Sequence, residues 1–367
     1  MHPSVRIRPD IAKMEGYTFI SGPYDVMSQK IGVPADQIIK LDTNENLYGM
    51  TPEALAALDD LREQGHIYPD VESRHLRALL ADYLGVGAEH ILVGAGADEL
   101  IDLTLRLFLE PNDTILNCPP TFTMYTLVAR WIGNCRVVDV PRFMDFSLNI
   151  DAIEQAAHAT HAKLLFLCSP NNPDGGLLKA EELDRLLQLP LVVVLDEAYI
   201  EFSDSQSFAS RIPDTPNLII LRTFSKWAGM AGLRIGYGIY PLDIITHLWK
   251  IKHPFNVNIA ADLAAQATLN AFPQATLQKI IGERERMRHA LAQIPYLTPL
   301  PSQGNFVLCR VHGLSTVALK AALDARGILI RNYPNKPGLA DCVRISIGKP
   351  EHTHALIHAL VEIGEGH

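Results

Sequence analysis

Short apolar runs alternate with amphipathic segments through the middle of the chain, and this alternation restricts the fold more than any other feature. The runs are rich in Ile, Leu and Val, as expected of parallel strands buried on both faces. Segment 97–109 and others like it carry apolar side chains at helical spacing. Strands alternating with helices predict an α/β fold with a mostly parallel central sheet and helices on both faces. The predicted strands are 91–93, 114–116, 164–168, 191–195 and 218–221.

The last hundred residues follow a different order, which predicts a smaller α+β domain. Its predicted elements are helix 278–292, strand 306–311, helix 316–325, strands 328–331 and 342–347, and a helix from 351. The segment up to about residue 48 has too little apolar periodicity to fold alone. A chain of 367 residues is long enough for two domains. We expect a large cofactor-binding domain over 49–270, and a second domain built from 1–48 with 271–367.

Composition excludes several classes of protein. Asp and Glu number 41 against 32 Lys and Arg, a net charge of −9 that argues against a nucleic-acid-binding protein. Five cysteines without a C-x-x-C pair indicate neither a disulfide framework nor a cysteine zinc site. His354 and His358 lie one helical turn apart, but no carboxylate-rich pocket accompanies them, and we expect no metal. No secretory leader or membrane-spanning run is apparent, which predicts a cytoplasmic protein without a membrane partner.

Ligands of open parallel sheets bind beyond the carboxyl ends of the strands, so the loops at 94–99, 169–175, 196–199 and 223–226 are the candidate site. The first loop, Gly94 to Glu99, lacks the third glycine of a dinucleotide fingerprint. It still opens a helix whose free N–H groups favour a phosphate. A tight turn with Asp98 and Glu99 as favourable first-turn acids is equally compatible with these residues.

An acid and a lysine follow two of the buried strands. Asp196 ends the run VVVLD and should need a cationic partner, although a helix cap or a buried salt bridge would also explain it. Lys226 could be a desolvated, nucleophilic amine or an ordinary solvated loop lysine. Together with Arg234 and the phosphate-binding loop, they match the needs of pyridoxal phosphate. This cofactor requires a lysine, an acid for its ring nitrogen and donors for its phosphate.

Residues 223–237, TFSKWAGMAGLRIGY, resemble the lysine segment of class II, fold type I aminotransferases. Within that group the chain is most similar to the histidinol-phosphate aminotransferase family. The similar motifs are LDTNENLYG at 41–49, YPD at 68–70, PPTF at 119–122 and VRISIG at 343–348. The resemblance extends from about residue 24 to 348 and implies the fold type I architecture.

The resemblance also implies roles for individual residues. Lys226 would carry pyridoxal 5′-phosphate and move the substrate proton, and Asp196 would pair with the ring nitrogen. Asn172 and Tyr199 would bind the ring oxygen, and Phe122 would stack on the ring. The groups implied in phosphate binding are the backbone at Ala97 and Asp98, Thr223 or Ser225, and Arg234, with Tyr68 reaching the cofactor phosphate of the neighbouring subunit in a homodimer.

For the substrates, the resemblance implies that Arg344 binds the carboxylate of glutamate or 2-oxoglutarate. Arg331 and Tyr24 would help recognise the substrate phosphate, and Asn46 would also bind the substrate. Considered alone, each arginine could equally form an internal salt bridge. Three residues depart from the family pattern: Phe122 replaces a tyrosine, Leu47 replaces the proline of N-E-N-P, and Asp174 replaces a threonine.

The implied reaction is transamination of L-histidinol phosphate with 2-oxoglutarate, which gives imidazole acetol phosphate and L-glutamate in histidine biosynthesis. Threonine-phosphate decarboxylases and aromatic-amino-acid aminotransferases share the fold and are alternatives. The decarboxylase is disfavoured because its histidine-glycine-rich N-terminal motif is not evident. A non-enzymatic ligand sensor is a third alternative. We would expect an added DNA-binding domain in such a sensor, and the segment before Tyr24 leaves no room for one.

Overall fold

The computed structural model describes residues 7–14, 22–133 and 135–365. Positions 1–6 and 15–21, which the sequence analysis assigns to the second domain, lie outside the described residues. The described strands are β1 (Ile39–Leu41), β2 (Ile91–Gly94), β3 (Thr114–Asn117), β4 (Arg136–Asp139), β5 (Leu164–Cys168), β6 (Val192–Asp196), β7 (Leu218–Thr223), β8 (Gly236–Ile239), β9 (Leu297–Pro299), β10 (Phe306–Val311), β11 (Ile328–Asn332) and β12 (Cys342–Ser346).

Helices fill most of the connections between these strands. The α-helices are α1 (Pro9–Lys13), α2 (Tyr24–Ile31), α3 (Pro52–Ala57), α4 (Leu61–Gln64), α5 (Arg74–Leu84), α6 (Ala97–Phe108), α7 (Met124–Gly133), α8 (Ile150–Thr160), α9 (Ala180–Leu186), α10 (Leu242–Ile251), α11 (Ile259–Asn270), α12 (Gln274–Leu291), α13 (Thr316–Asp324) and α14 (Pro350–Glu365). Single turns of 3₁₀ helix occur at Ala35–Gln37, Leu58–Asp60, Ala88–His90, Ile200–Phe202 and Ala231–Leu233, with a longer one at Ala209–Asp214. No helix of the described ranges is long and apolar enough to span a membrane.

The central sheet has seven strands in the order β2-β8-β7-β6-β5-β3-β4. All neighbouring strands are parallel except at β8, which is antiparallel to both β2 and β7. The predicted mostly parallel sheet is therefore confirmed. β2 is the one predicted strand whose only partner is antiparallel, because β8 lies between it and β7.

Successive side chains of the central strands enter two different cores. Leu165 and Leu167 pack into one, and Leu164 and Phe166 of the same strand pack into the other. Helices α6, α7 and α10 cover one face, and α5, α8, α9 and α11 contribute to the core on the opposite face. Burial on both faces is the reason why the strand sequences are almost entirely apolar.

A second sheet has five strands in the order β1-β11-β12-β10-β9. β1 pairs with β11 in parallel, and the remaining pairs are antiparallel. β1 thus joins strands that come from the far end of the chain. The domain boundaries at 48/49 and 270/271 stay a prediction.

Most of the helices and strands predicted from the sequence are present in the structure. Four further strands, β1, β4, β8 and β9, are not predicted from the sequence. β4 is an edge strand with exposed charged ends, and β8 reads GYGI, in which glycines obscure the apolar pattern. The predicted helix at 278–292 begins earlier, at Gln274, because a proline at position 273 precedes its first turn.

The two-sided core makes a clear prediction about stability. Leu165 is fully buried in β5, whereas Leu55 of α3 is 52% exposed. We expect Leu165→Ala to lower the free energy of unfolding by about 2–5 kcal/mol, since it leaves a cavity between strand and helices. Leu55→Ala, the matched control, should change it by less than about 0.5 kcal/mol. Urea unfolding of the cofactor-free protein measures both, and equal effects would contradict the assigned burial.

Candidate active site

The carboxyl ends of β6 and β7 bring the predicted acid and lysine to one edge of the central sheet. β6 ends at Asp196 and β7 at Thr223, and the two strands are parallel neighbours. Tyr199 lies in the turn after β6, and Lys226 lies in the loop after β7. These positions follow directly from parallel strand direction.

Asp196 is buried, and its partners in the structure are neutral donors. Tyr125 of α7 donates its hydroxyl to Oδ2 over 2.6 Å, and the Ala198 N–H donates to Oδ1 over 3.0 Å. Among the described residues it has no ion pair, so the alternative of an internal salt bridge is wrong, and the expected cationic partner is not supplied by these residues either. Burial raises the pKa of Asp196 to about 6. A buried carboxyl in this condition favours a cationic ligand, such as a protonated pyridine nitrogen.

Tyr199 is buried, and its phenol oxygen accepts from two amides. Asn44 Nδ2 donates over 3.1 Å and Asn172 Nδ2 over 3.5 Å. Burial raises the pKa of Tyr199, so the phenol keeps its proton at neutral pH. Tyr199 and Asn172 therefore lie together, as the resemblance implies.

The ammonium of Lys226 donates to the carbonyl oxygen of Thr43 over 3.0 Å. Burial, reinforced by the positive charge of Arg344, lowers the pKa of Lys226 to about 8. Lys226 is half-buried and its ammonium is bound to a backbone carbonyl, an environment that disfavours the alternative of a solvated loop lysine. A lysine with so low a pKa has an appreciable neutral fraction near pH 8 and can act as a nucleophile or a base.

A group of hydroxyl, guanidinium and helix N–H donors lies beside this lysine. Arg234 donates to Ser225 Oγ over 3.3 Å and pairs with Asp98 over 2.8 Å. Thr223 and Ser225 are joined by their hydroxyls over 3.0 Å. Ala97 is the first residue of helix α6, and its N-cap is Gly96, which has no side chain to bind the first N–H groups of the helix. These donors suit a phosphate group.

The contacts of the loop at 94–99 support its interpretation as a tight turn, and phosphate binding by this loop stays a prediction. Glu99 accepts from the Ala95 N–H over 2.6 Å and so stabilises the turn itself. Gly96 has φ +83°, and a Cβ there would lie 2.5 Å from Arg234 Nη2. A Cβ on Gly236 of β8 would lie 2.6 Å from the Ala97 nitrogen. The two glycines let the helix end approach Arg234 and β8 closely.

Arg344 of β12 is buried and donates to two acceptors of the protein itself. It donates to Asn172 Oδ1 and to the Asp42 carbonyl, both over 2.6 Å, while its buried Nε has no partner among the described residues. Because neither acceptor is a carboxylate, its charge is not neutralised by a salt bridge, and that alternative is wrong for Arg344. Arg331 lies on the neighbouring strand, opposite Arg344 in register, with its guanidinium 5.6 Å from the Tyr333 ring.

The remaining predicted residues surround this centre at different depths. Asn46 is buried and donates to the Trp227 carbonyl over 2.9 Å. Tyr24 begins α2 and is 42% exposed, and burial with the nearby charge of Glu45 raises its pKa. Tyr68 is 77% exposed and stacks on Phe255 at 4.4 Å, so it does not reach the centre of its own protomer. Phe122 packs edge-on against Tyr125 at 5.5 Å.

The departures from the family pattern are accommodated locally. Buried Asp174 accepts from the Asn171 amide and from the Gly176 N–H, and so orders the loop that presents Asn172. Leu47 packs against the larger core. Phe122 lies beside the tyrosine that supplies the hydroxyl to Asp196. Leu47 and Asp174 remove no catalytic group from the site, whereas Phe122 lacks the hydroxyl of the tyrosine that it replaces.

Four residues of the site escaped the sequence analysis: Tyr125, Thr43, Asn44 and Ser346. Tyr125 lies on a helix and carries no sequence signal of its contact with Asp196. Thr43 contributes a carbonyl group, which any residue could provide. Asn44 lies within the motif LDTNENLYG and could have been singled out as an asparagine in a turn. Its φ of +56° and its contact with Ser346 require the structure.

The donor set fits pyridoxal phosphate. It offers a buried acid of raised pKa, a lysine of lowered pKa, a phosphate-binding corner and a buried arginine with an unused donor. No group of three or more His, Cys, Asp or Glu side chains in ranges 7–14, 22–133 and 135–365 could hold a metal ion.

Comparison with known proteins gives consistent matches. The family model for aminotransferase class I and II matches residues 36–362. The histidinol-phosphate aminotransferase of Roseiflexus castenholzii is 47% identical over 366 residues, covering 97% of this chain and 98% of its own. The chloroplastic histidinol-phosphate aminotransferase of Nicotiana plumbaginifolia is 47% identical over 357 residues, covering 96% and 86%.

A solved structure extends the similarity to three dimensions. It is the histidinol-phosphate aminotransferase of Sinorhizobium meliloti in complex with pyridoxal-5′-phosphate. It superposes with a TM-score of 0.89 at 28% identity and covers 98% of both chains. The fold type I architecture expected from the sequence is thus confirmed.

The lowered pKa of Lys226 can be tested on the cofactor-free protein. The labelling rate of Lys226 by an amine reagent should rise with a midpoint near pH 8. Arg344→Gln removes a neighbouring positive charge, so the midpoint should move to higher pH. Arg310→Gln, which breaks an ion pair with Asp341 at the protein surface, is the control and should leave it unchanged. Mass spectrometry of the labelled peptide gives the rates, and an unshifted midpoint in Arg344→Gln would refute the electrostatic cause.

Proposed function

The chain belongs to the family of class I and II aminotransferases, and from this membership we propose that it transfers the amino group of L-histidinol phosphate to 2-oxoglutarate, giving imidazole acetol phosphate and L-glutamate in histidine biosynthesis. The observation that carries the proposal is the juxtaposition of Lys226, Asp196 and Arg344. This arrangement combines a base, an acid for a ring nitrogen and an anion-binding group in one site.

Pyridoxal 5′-phosphate would be held from several sides. Lys226 would hold it covalently, Asp196 would face the ring nitrogen, and Tyr199 with Asn172 would bind the ring oxygen. Phe122 would supply an aromatic face. The phosphate would accept from the backbone N–H groups of Ala97 and Asp98, from the hydroxyl of Thr223 or Ser225, and from Arg234. When bound, the cofactor supplies an electron sink for the pair left by the broken Cα–H bond.

The protein's own part in the reaction is proton transfer and orientation. Lys226 would take the proton from the substrate Cα and pass it to C4′ of the cofactor. Its pKa of about 8 suits both the removal and the delivery of this proton. Asp196 in its ionised form keeps the ring nitrogen protonated. The phenol of Tyr199 orients the ring oxygen. Asp196 and Tyr199 are buried, which strengthens the electrostatic interactions of their side chains.

Two arginines on neighbouring strands would bind the anionic groups of the two substrates. Arg344 is placed for the carboxylate of glutamate or 2-oxoglutarate, to which its planar guanidinium can donate in bidentate fashion. Arg331, partly buried beside Tyr333, is suited to the phosphate of histidinol phosphate. Tyr24, which lies near the charge of Glu45, and Asn46 would contribute to substrate binding from the N-terminal segment.

We further propose a cytoplasmic homodimer in which Tyr68 completes the neighbouring site. The exposed Tyr68 ring stacks on Phe255, itself 41% exposed, so the pair forms an aromatic surface on a single protomer. Large exposed aromatic side chains are typical of protein interfaces. All five cysteines are free and buried, in keeping with a reducing compartment.

The cofactor and the substrate can be tested together. The purified protein should show the visible absorbance of bound pyridoxal phosphate, and Lys226→Ala should lose it and lower turnover by roughly 10²–10⁴-fold. Among histidinol phosphate, phosphothreonine and phenylalanine, the first should have the highest kcat/KM. Preference for phosphothreonine with release of carbon dioxide, or for phenylalanine, would replace the proposed substrate. Ligand binding without turnover of any donor would indicate a sensor.

A mixing experiment tests the shared site. Lys226→Ala and Tyr68→Ala homodimers should each be strongly impaired. Dissociated and reassociated together in equal amounts, they should regain about a quarter of the wild-type activity, because half of the dimers are mixed and each mixed dimer has one intact site. Lys226→Ala mixed with Asp196→Ala, both altered within one protomer's centre, is the matched control and should regain none. Failure of the first mixture to recover activity would contradict the shared site.

A further inference from the structure

Asn44 is a buried side chain at the centre of the site that the proposed mechanism leaves without a role. It is 1% exposed and lies in the turn after β1 with a φ of +56°. Its amide contacts groups from both sheets: Tyr199 follows β6 of the central sheet, and Ser346 ends β12 of the second sheet. No other described residue hydrogen-bonds Ser346 and Tyr199 together through one side chain.

The contacts of Asn44 define which end of its amide faces Tyr199. Ser346 Oγ accepts from the Asn44 backbone N–H over 2.9 Å and donates to Asn44 Oδ1 over 3.0 Å. The oxygen end of the amide is therefore directed at Ser346. The nitrogen end donates to the phenol oxygen of Tyr199 over 3.1 Å.

A second amide approaches the same phenol in the same sense. Asn172 Oδ1 accepts from Arg344 over 2.6 Å, and this contact directs Asn172 Nδ2 towards Tyr199, at 3.5 Å. The phenol oxygen thus receives two N–H donors. Neither amide end that faces Tyr199 can accept its proton, so the O–H is free to donate to another group.

We propose that Asn44 is a positioning residue that makes Tyr199 a hydrogen-bond donor to the ring oxygen of the cofactor. The proposal rests on the proposed function, because it takes pyridoxal phosphate as the ligand of the site. A donated hydrogen bond stabilises the negative charge on that oxygen. The pH at which the bound cofactor takes up a proton is then lower than it would be without Asn44.

Two substitutions separate this role from a purely structural one. Asn44→Asp keeps the shape of the side chain and the acceptor for Ser346, but it replaces the donor to Tyr199 with an acceptor. The phenol would then donate to position 44 instead of to the cofactor. Asn44→Gly keeps the left-handed backbone accessible and removes the amide. The second variant tests the amide even if the buried carboxylate of the first prevents folding.

The experiment is a pH titration of the visible absorbance of bound pyridoxal phosphate, without substrate. We expect Asn44→Asp to raise the midpoint by roughly one pH unit, as loss of one hydrogen bond to a charged group would, and Tyr199→Phe to raise it similarly. Asn44→Gly should raise it less, since the phenol can still donate. Asn44→Asp added to Tyr199→Phe should give no further shift. Thermal unfolding of each cofactor-free variant shows whether it is folded.

The outcomes distinguish this inference from the proposed function. If Asn44→Asp shifts the midpoint equally in the Tyr199→Phe background, its carboxylate acts by charge alone, and the inference is wrong. Unchanged midpoints in both Asn44 variants, in a wild type that turns over histidinol phosphate, overturn the inference and leave the function intact. A protein that binds pyridoxal phosphate and shows the shifts, but uses another donor, keeps the inference and loses the substrate. Failure to bind the cofactor overturns both.

Discussion

Lys226 donates to the carbonyl oxygen of Thr43, and this contact joins the end of β7 to the turn after β1. The neighbouring carbonyls of that turn act in the same way. The carbonyl of Asp42 accepts from Arg344 over 2.6 Å, and that of Asn44 accepts from Asn305 over 3.0 Å. Three successive carbonyl groups therefore accept hydrogen bonds from side chains that lie in the two sheets or directly beside them. The site depends on this short stretch of backbone, because neither sheet alone carries all the groups that the chemistry needs.

Charge balance around the lysine follows from the same arrangement. Arg344 lies close enough to lower the pKa of Lys226, while the carboxylate of Glu45 opposes that effect. Glu45 is itself held by Lys40 over 2.6 Å and by the Thr43 hydroxyl over 2.8 Å. The net charge of −9 gives no sign of this local concentration of cations. The reaction depends on the arrangement of a few charged side chains that lie within several ångströms of one another in a largely buried site.

The sequence predicts the central part of this arrangement well, because a parallel sheet converts chain order into position. An acid after one apolar run and a lysine after the next must lie at the same sheet edge, and the structure has Asp196 and Lys226 there. Contacts made through the backbone are different. Thr43 serves through a carbonyl that any residue possesses, and the hydroxyl of Tyr125 reaches Asp196 from a helix without any pattern to reveal it. Side chains such as Asn44 acquire their role from tertiary packing, which the spacing of residues in the sequence does not predict.

The pairing of β1 with β11 has a consequence for how the protein is made. Ile39 lies beside Ile328 in this pair, so the strand that leads into residues 42–46 finds its partner only after almost the whole chain has been synthesised. The central sheet can form from segments that are already present, since its strands are close in sequence. The turn that binds Lys226 and Arg344 must wait. Assembly of a competent site is therefore a late event in folding. A ribosome-bound fragment ending before β11 would contain Lys226 and Asn305 but would lack both the pairing of β1 with β11 and the contact of Arg344 with this turn.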